Sequence, residues 1–474
     1  MNIFEAKRIE SQNLREAMKR MPRFFETTTF LDTPDFLEKY GMFIPEKKKL
    51  PKGYLKLWPQ DFVVEEITRD GERTNVFPDR FISKQREFFY EDPVIWATLV
   101  KCNLSSVEAA EELARYLKIL PEQIKFGGIK DKHAITSQLI SIKGTTAEKL
   151  NELAPQYFFL KDVFSSRREN HLGNLRGNQF TILIRTERPL PEKDFLEKLK
   201  ELERQGFYNF YYLQRFGVPR LINAACGLAI LNGDYEGAVK IAFCKPGVRE
   251  LIYFRNLRKE IEKIWGDWLE IEKIIEFFPN TFQDERAIIS HLVENPQDFI
   301  GALNQIPRVV QLWLNSFASL LYNKKLSSFL KQNKKPPSTI PSVISPERGD
   351  WLLYEDYLKE FSLFSQTFVL KNLQPFKEIN VRHRDQKTVE KAQVLNCKVI
   401  PQGAILNFNL PKGCYATTFL SHLFNLVSGA LPKKFSNLPI DTKANLKQQS
   451  LEEILNKFSD VVSTPAWRLL WRIY

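Results

Sequence analysis

The stretch Phe126-Gly-Gly-Ile-Lys-Asp-Lys-His-Ala-Ile-Thr-Ser-Gln138 places one carboxylate, Asp131, between two lysines and shortly after two glycines. Because neighbouring positive charge favours the ionised form of a carboxyl group, this setting lowers the pKa of Asp131. An ionised carboxylate at the tip of a glycine-rich turn can serve as a nucleophile or a base. An aspartate after glycine is also common as a turn or cap residue, so the local sequence leaves both interpretations open.

Four other segments of the chain carry charged, amide and aromatic residues in distinctive patterns. They are Lys56 followed by Asp61-Phe-Val-Val-Glu-Glu66, Gly173-Asn-Leu-Arg-Gly-Asn-Gln-Phe-Thr-Ile-Leu-Ile-Arg185, Asn209-Phe-Tyr-Tyr-Leu-Gln-Arg-Phe-Gly217 and Leu410-Pro-Lys-Gly-Cys-Tyr-Ala-Thr-Thr418. With the 126–138 stretch they resemble, in the same order, the motifs of the TruD family of RNA pseudouridine synthases. The resemblance covers about residues 53 to 425. The basic extension before it and the long insertion within it resemble the larger archaeal and eukaryotic-type members.

The resemblance implies roles for individual residues. Asp131 matches the catalytic carboxylate, which must be ionised whether it attacks the base, attacks the sugar or removes a proton from the sugar. Phe180 matches an aromatic that stacks on the detached base, and Asn178 an amide that orients the aspartate or the base. Tyr415 matches an aromatic that covers the other face of the base. For Phe180 the residues alone favour burial in the core, because it enters the apolar run from Thr181.

Further residues of the matched motifs are candidates for substrate or RNA contact. We expect Lys56 to lie in the active-site pocket or near a phosphate, with Glu66 as its partner and Phe62 packed beneath. An ordinary surface ion pair is the alternative for Lys56 and Glu66. The lysines on either side of Asp131, Lys130 and Lys132, should help to keep it ionised or face phosphate.

Two motif residues, His133 and Arg215, have alternative interpretations, and a third, Tyr212, departs from the family pattern. A histidine can act as a general base, but the resemblance favours His133 as a hydrogen-bonding scaffold or RNA contact. Arg215 should brace the active-site loops, with RNA contact as the second interpretation. Tyr212 stands where the family commonly has glycine, so a close backbone approach there is in doubt.

The composition fits a globular protein with a polyanionic partner. Hydrophobic residues make up 43% and charged residues 27% of the 474 residues, which is ordinary for a chain with a sizeable core. The 69 lysines and arginines exceed the 57 acidic residues, giving a net charge of +12. Phosphate contacts supply most non-specific nucleic-acid affinity, so this charge favours RNA without proving it.

Basic clusters extend this pattern along the chain. They are Lys47–Lys49, Arg167–Arg168, Arg255–Lys259, Lys324–Lys325, Lys334–Lys335, Arg382–Arg384 and Lys433–Lys434. Each alone is usually a solvated surface, but together they indicate a broad positive groove for a folded RNA.

Several classes of protein are disfavoured. The five cysteines form no C-x-x-C pair, so neither a zinc site nor a disulfide framework is indicated. No phosphate-binding loop, dinucleotide fingerprint or H-E-x-x-H motif occurs, and we expect no cofactor. The first residues lack the apolar core of a signal peptide. The most apolar stretch, residues 309–321, is too short and polar to span a bilayer. We therefore expect a cytoplasmic monomer that contacts no membrane.

The pattern of elements predicts an α+β fold. Strand-like runs at 61–67, 135–142, 157–164 and 181–185 alternate with helices, one capped by Ser105 and Glu108 and another at 192–205. From Pro219 the pattern becomes mainly helical, and strands return at 394–410. We predict a basic extension (1–50), a core in two parts (51–217 and 391–474) and an inserted helical domain (218–390). The resemblance implies the pseudouridine-synthase core, a largely antiparallel mixed sheet flanked by helices.

These observations predict an RNA pseudouridine synthase, an isomerase that acts on tRNA. The resemblance implies the uridine at position 13 as the target, although other structured RNA is also accepted by the larger family members. The main alternative is a non-catalytic RNA-binding or RNA-folding protein of the same architecture. A methyltransferase or deaminase would need a cofactor loop or zinc ligands, and neither pattern is present.

Overall fold

The computed structural model describes residues 3–26, 28–78, 93–153, 155–341, 345, 347–432 and 435–462. Within it the chain forms two units. The sheet unit contains the described residues within Leu50–Phe207 and Lys391–Ile473, and the helical unit contains those within Met1–Lys49 and Tyr208–Glu390. Along the sequence, residues 208–390 of the helical unit interrupt the sheet unit, and residues 1–49 precede it. Residues 1–49 and 208–217 group with 218–390 by their contacts, and the predicted domain edges stay predictions.

The strands and helices have the following bounds. The strands are β1 (Thr29–Leu31), β2 (Lys52–Tyr54), β3 (Phe62–Thr68), β4 (Val94–Cys102), β5 (Ile124–Phe126), β6 (Ile135–Lys143), β7 (Phe158–Ser166), β8 (Leu175–Arg185), β9 (Phe207–Tyr208), β10 (Thr339–Pro341), β11 (Asp385–Lys387), β12 (Val389–Glu390), β13 (Gln393–Ile400), β14 (Gly403–Pro411) and β15 (Asn425–Gly429). The helices are α1 (Ile3–Arg20), α2 (Pro34–Glu38), α3 (Ser106–Leu117), α4 (Ala147–Asn151), α5 (Glu192–Gln205), α6 (Asn223–Leu231), α7 (Tyr235–Cys244), α8 (Ile252–Lys263), α9 (Trp268–Glu276), α10 (Gln283–Glu294), α11 (Phe299–Asn304), α12 (Pro307–Lys331), α13 (Arg348–Leu353), α14 (Glu355–Glu360), α15 (Gln366–Leu373), α16 (Ala416–Ser421), α17 (Thr442–Asn445), α18 (Glu452–Lys457) and α19 (Ser459–Val462).

The sheet unit is built on one mixed, largely antiparallel sheet. Its strands follow the order β15-β2-β8-β3-β6-β4-β7, with β14 also paired to β8, β13 to β14 and β5 to β6. The β3–β6 and β15–β2 pairs are parallel, and the other pairs are antiparallel. Strands interleaved with helices around one such sheet give the α+β class that the sequence predicts, so this prediction is confirmed.

One face of the sheet carries most of the residues singled out from the sequence. Side chains alternate along a strand, so residues paired across strands share a face. The pairs Val64–Phe180, Glu66–Asn178 and Phe180–Phe408 run across β3, β8 and β14. Helices α3 and α16 pack against this face. Ser106 Oγ on α3 donates to Gln138 on β6, and the ring centres of Phe419 on α16 and Phe408 on β14 are 4.7 Å apart.

The opposite face of the sheet is covered by the C-terminal helices. Val63, Val100 and Ile135 belong to one buried cluster with Leu451, Ile454, Phe458 and Val461. On the same face, the buried Lys443 of α17 donates to Glu65 of β3 at 2.8 Å. Burial of apolar side chains is the main source of folding free energy. Because this cluster lies on the opposite face, the first face can carry the polar residues of the site.

The helical unit is organised around the long helix α12. A Cβ on Gly227 of α6 would lie 2.2 Å from the carbonyl oxygen of Trp313, so only glycine permits this close helix approach. Asn323 of α12 donates to the carbonyl oxygens of Tyr40 and Tyr211 at 2.9 and 2.8 Å. The N-terminal residues therefore pack into this unit.

A buried ion pair fixes the start of β3 against the end of β8. Arg185 Nε and Nη2 donate to the two carboxylate oxygens of Asp61 at 2.9 Å each, and both side chains are almost fully buried. Two parallel hydrogen bonds of this kind are the strongest geometry for such a pair. They align the two strands that carry Phe62, Asn178 and Phe180.

Replacing Asp61 by Asn should lower the free energy of unfolding by about 3–5 kcal/mol, because it leaves the Arg185 charge buried without a counterion. Urea unfolding followed by circular dichroism measures the change. The matched control is Glu46→Gln in the exposed Lys49–Glu46 pair, which should change stability by less than about 1 kcal/mol. Equal effects of the two substitutions would contradict the proposed importance of the buried pair.

Candidate active site

Asp131 lies in the loop of residues 127–134, between β5 and β6, which we call the catalytic loop. Ser106 at the start of α3 accepts a hydrogen bond from the Lys130 backbone N–H at 2.9 Å and donates to Gln138 Oε1 at 2.6 Å. Gln138 Nε2 in turn donates to the Gly128 carbonyl oxygen at 3.2 Å. These bonds tie the loop to both α3 and β6. The capping box of Ser105 and Glu108, which the sequence predicts, begins this helix and is confirmed.

The glycines before Asp131 bring a second loop close. The backbone N–H of Gly173 donates to the Gly127 carbonyl oxygen at 2.7 Å. A Cβ on Gly127 would lie 3.1 Å from the carbonyl oxygen of Asn174. A side chain at this position would therefore press on the neighbouring loop.

The carboxylate of Asp131 forms an ion pair with the ammonium group of Lys56. The side chain of Asp131 is 34% exposed and that of Lys56 is 22% exposed. The Lys56 Nζ also lies 4.1 Å from the centre of the Phe62 ring, which confirms that Phe62 packs beneath it. The pair is therefore accessible from solvent on one side and supported by the core on the other.

The backbone of Lys56 is itself strained. Its φ of +58° lies in the left-handed region, which costs a non-glycine residue roughly 1–2 kcal/mol. Such residues cluster at functional sites, where the surrounding structure holds them in place. Here the turn after β2 directs the ammonium group onto Asp131.

Two lysines set the ionisation of Asp131. Burial by itself would raise the pKa of Asp131, but the charges of Lys56 and then Lys101 outweigh it and hold the pKa below its usual value. Lys101 lies on β4, is fully buried, and donates from Nζ to the Asp131 carbonyl oxygen at 2.8 Å. The carboxylate is thus ionised at neutral pH.

The lysines next to Asp131 in sequence have other carboxylate partners. Lys130 Nζ lies 2.6 Å from Glu66 Oε2 in a buried pair, and Lys132 Nζ lies 2.9 Å from Glu108 Oε1. The prediction that Glu66 pairs with Lys56 is therefore wrong, because Lys130 reaches Glu66 from the loop while Lys56 reaches Asp131. Lys56 and Lys101, which are distant in sequence, lower the pKa of Asp131. The sequence had predicted this effect for the flanking lysines.

The two predicted base-binding residues of β8 lie on the same face as Glu66. Phe180 is buried at 4% exposure, and its ring packs against Phe62 at 6.1 Å and Phe408 at 5.4 Å. Asn178 is half-buried and pairs across strands with Glu66. The buried Oδ1 atom of Asn178 has no hydrogen-bond partner among the described residues. A buried amide oxygen of this kind is available to a ligand.

Gly177, before Asn178, makes the local approach of β8 to β14 possible. A Cβ there would lie 2.1 Å from the carbonyl oxygen of Leu410. Shortly after this strand, Tyr415 occupies the N-cap position of α16 and is half-buried. Its role against the base stays a prediction.

The other predicted contacts are placed in different units. His133 is half-buried in the catalytic loop. Arg215 lies in the helical unit, where its guanidinium is 4.9 Å from the Tyr211 ring and its carbonyl oxygen accepts from Ser316 Oγ at 2.6 Å. The hydroxyl of Tyr212 donates to Asp32 at 2.5 Å. Tyr212 thus has a buried partner of its own.

The basic clusters are only partly surface features. Lys47 and Arg258 are buried, the latter paired with Glu250 at 2.8 Å, so neither belongs to a positive groove. Arg167 and Arg168 are exposed. Lys433 and Lys434 lie outside the described residues.

A group of three side chains in the helical unit has the spacing of metal ligands. Glu347, Asp350 and His383 in the helical unit have ligand atoms within 4.8 Å of one another. His383 Nδ1 lies 2.9 Å from Asp350, a hydrogen bond that raises the pKa of His383, so these two side chains already have partners in each other. Among the described residues, no helix has the length and apolar character needed to cross a bilayer.

Sequence reasoning did not single out Lys101. The signal was present, because Lys101 is the one charged residue of β4, whose residues are all buried. A charged side chain in such a strand requires a partner, since burying an unpaired charge is costly. That partner is the peptide of Asp131.

Replacing Lys56 by Met should raise the pKa of Asp131 toward or above its usual value, because burial then outweighs the remaining positive charge. The pKa can be measured by NMR of protein with ¹³C-labelled aspartate. Lys132→Met is the matched control and should leave this pKa nearly unchanged, because Lys132 pairs with Glu108. A larger shift in the control than in Lys56→Met would contradict the assignment.

The chain is similar in sequence to proteins that share one family name. The family model for tRNA pseudouridine synthase D (TruD) matches residues 46–341. A Methanosarcina mazei protein named "Probable tRNA pseudouridine synthase D" is 29% identical over 276 residues, 57% of this chain and 58% of that protein. A Pyrobaculum aerophilum protein of the same name is 31% identical over 300 residues, 63% of this chain and 68% of that protein. The chain therefore matches little more than half the length of the Methanosarcina relative.

A solved structure has the same fold. The crystal structure of a Methanosarcina mazei protein that carries the name tRNA pseudouridine synthase D (TruD) superposes with a TM-score of 0.56. The match covers 81% of this chain and 97% of that chain at 23% identity. At this identity the likeness concerns the fold.

Proposed function

The chain belongs to the TruD family of tRNA pseudouridine synthases, and we propose from this membership that it isomerises uridine to pseudouridine in tRNA. The observation that carries the proposal is the partly exposed Asp131 carboxylate, which Lys56 and Lys101 hold in the ionised form. An accessible anion on a loop anchored to α3 and β6 is what either a nucleophile or a base requires.

The reaction breaks the bond between N1 of uracil and C1′ of the ribose and forms a bond between C5 and C1′. The proton on C5 is lost and N1 gains one, so the change is an isomerisation without oxidation or reduction. Asp131 can attack the ribose, attack the base or remove a proton from the sugar, and each route needs the carboxylate ionised. No cofactor is required for this balance.

The neighbouring side chains support recognition of the freed base. The unpartnered Oδ1 of Asn178 can accept a hydrogen bond from a uracil N–H. Glu66 pairs across strands with Asn178, and its buried ion pair with Lys130 supports the catalytic loop on this face of the sheet. We propose that Phe180, with Phe62 behind it, forms the floor beneath the base and that Tyr415 covers its other face. A nucleotide must be extruded from its stack to reach such a site.

The remaining assignments concern the RNA. Lys132, 34% exposed at its side chain, and the half-buried His133 lie next to Asp131 and can contact the backbone of a bound strand. Arg215 is proposed as a support for its own loop, with RNA contact as a second role. Position 13 of tRNA is the proposed target, and the cytoplasm is the proposed compartment.

Replacing Asp131 by Asn should abolish product formation, by at least about 10³-fold in kcat, while leaving tRNA affinity nearly unchanged. The substitution keeps the shape of the side chain and removes the anion. Product is measured by mass spectrometry of digested tRNA, and affinity by filter binding. Glu122→Gln, which alters an exposed carboxylate, is the control. Binding without turnover in the unaltered protein would favour a non-catalytic RNA-binding protein instead.

A second experiment tests the position of the target. A tRNA transcript with cytidine in place of uridine 13 should give no pseudouridine, whereas the unaltered transcript should give one per molecule. Each product is located by sequencing after chemical modification of pseudouridine. Equal product from both transcripts would contradict position 13 and leave the reaction itself supported.

A further inference from the structure

Strand β4 contains one charged residue in an otherwise apolar or neutral strand. It reads Val94-Ile-Trp-Ala-Thr-Leu-Val-Lys-Cys102, and every residue in it is buried. Lys101 has no exposed surface. Burial lowers the pKa of its ammonium group to about 7, although the negative charge of Asp131 opposes this effect. Placing an ammonium group here costs free energy that an apolar residue of similar size would avoid.

The ammonium group is directed at the catalytic loop. Lys101 Nζ donates to the carbonyl oxygen of Asp131 at 2.8 Å, and Lys101 pairs across the sheet with Thr136 of β6, the strand that leaves this loop. The carboxylate of the same Asp131 is bound by Lys56. Two lysines from different strands or turns thus hold the two ends of one residue, its peptide and its side chain.

The charges around Lys101 come from three elements. Asp131 and Lys130 face it from the catalytic loop, Glu108 from α3, and Cys102 is its neighbour on β4. Glu108 is engaged by Lys132 and Lys130 by Glu66. The contact of Lys101 that fixes the loop is therefore the hydrogen bond to Asp131.

We propose that Lys101 is a positioning residue for the reaction: by its hydrogen bond to the Asp131 carbonyl oxygen, it fixes the carboxylate where it can react with the nucleoside. This inference rests on the proposed function of Asp131. The role differs from that of Lys56, which binds the carboxylate itself. Lys101 acts on the orientation of Asp131 and contributes no contact to the RNA.

The size of the expected effect follows from geometry. A displacement of about 1 Å in a reacting group can reduce the rate about 100-fold, even when the altered residue does not touch the substrate. Loss of the hydrogen bond leaves the Asp131 carbonyl oxygen without this donor and frees the loop to move. Because Lys101 is buried beneath the loop, RNA binding should not depend on it.

Lys161 provides a matched control in the same sheet. It lies on β7, which pairs with β4, and its side chain is 9% exposed. Its Nζ donates to the Phe77 carbonyl oxygen at 2.7 Å. Lys161→Met therefore removes a similarly buried lysine that also donates to a main-chain oxygen, but away from the catalytic loop.

The experiment compares Lys101→Met, Lys161→Met and the unaltered protein at a temperature where all three are folded. For Lys101→Met we expect kcat to fall about 100-fold, with tRNA affinity within threefold. We also expect trypsin to cleave this variant faster after Lys130 and Lys132. Mass spectrometry of the peptides measures the cleavage rate. Lys161→Met should lower thermal stability without changing kcat or cleavage in this loop.

The outcomes separate this inference from the proposed function. A kcat for Lys101→Met within threefold of the unaltered protein, or equal losses in both variants, would overturn the positioning role. If the unaltered protein forms no pseudouridine, the proposed function fails, and the protease result still decides whether Lys101 fixes the loop. Unchanged protection of the loop in Lys101→Met would then overturn the inference.

Discussion

The chemistry proposed for this protein depends on one electrostatic constraint, the pairing of Asp131 with Lys56. The carboxylate is partly buried, and burial favours its neutral form. The ammonium groups of Lys56 and Lys101 reverse that preference. The fold accepts a left-handed backbone at Lys56 to direct its ammonium group onto the carboxylate. The anion is therefore a property of three segments brought together by the sheet, and the local sequence around Asp131 does not produce it alone.

The two faces of the sheet have different roles, because one carries an apolar core and the other carries the residues of the candidate site. On one face, the C-terminal helices bury an apolar cluster that stabilises the unit. On the other, β3, β4, β6 and β8 carry Glu66, Lys101, Gln138 and Asn178 on a common face of the sheet. Side chains on strands are held more firmly than those on loops. The loop that carries Asp131 gains the same order through its bonds to Ser106, Gln138 and Lys101.

Much of this architecture could be predicted from the sequence, since helix caps and apolar periodicity are local signals. The helix at 192–205 and the capping box of Ser105 and Glu108 appear as predicted, as does the strand that follows Asp131. Partners of charged residues could not be predicted, because pairing depends on which strands become neighbours. Glu66 was expected to pair with Lys56 from their closeness in sequence, yet Lys130 reaches it. Lys101 could not be identified from the sequence because a single lysine at the end of an apolar run forms no motif. Its contact with the Asp131 loop follows only from the pairing of β4 with β6.

The most direct test of this account is a crystal structure of the Asp131→Asn variant bound to a tRNA substrate. The account predicts an extruded uridine whose ribose or base lies about 3–3.5 Å from the residue-131 side chain, the separation of reacting groups in a productive complex. Its base should lie against Phe180 or Tyr415, with Asn178 within hydrogen-bond distance. A bound tRNA with every uridine stacked in the RNA, or with an extruded nucleotide remote from residue 131, would contradict the central claim.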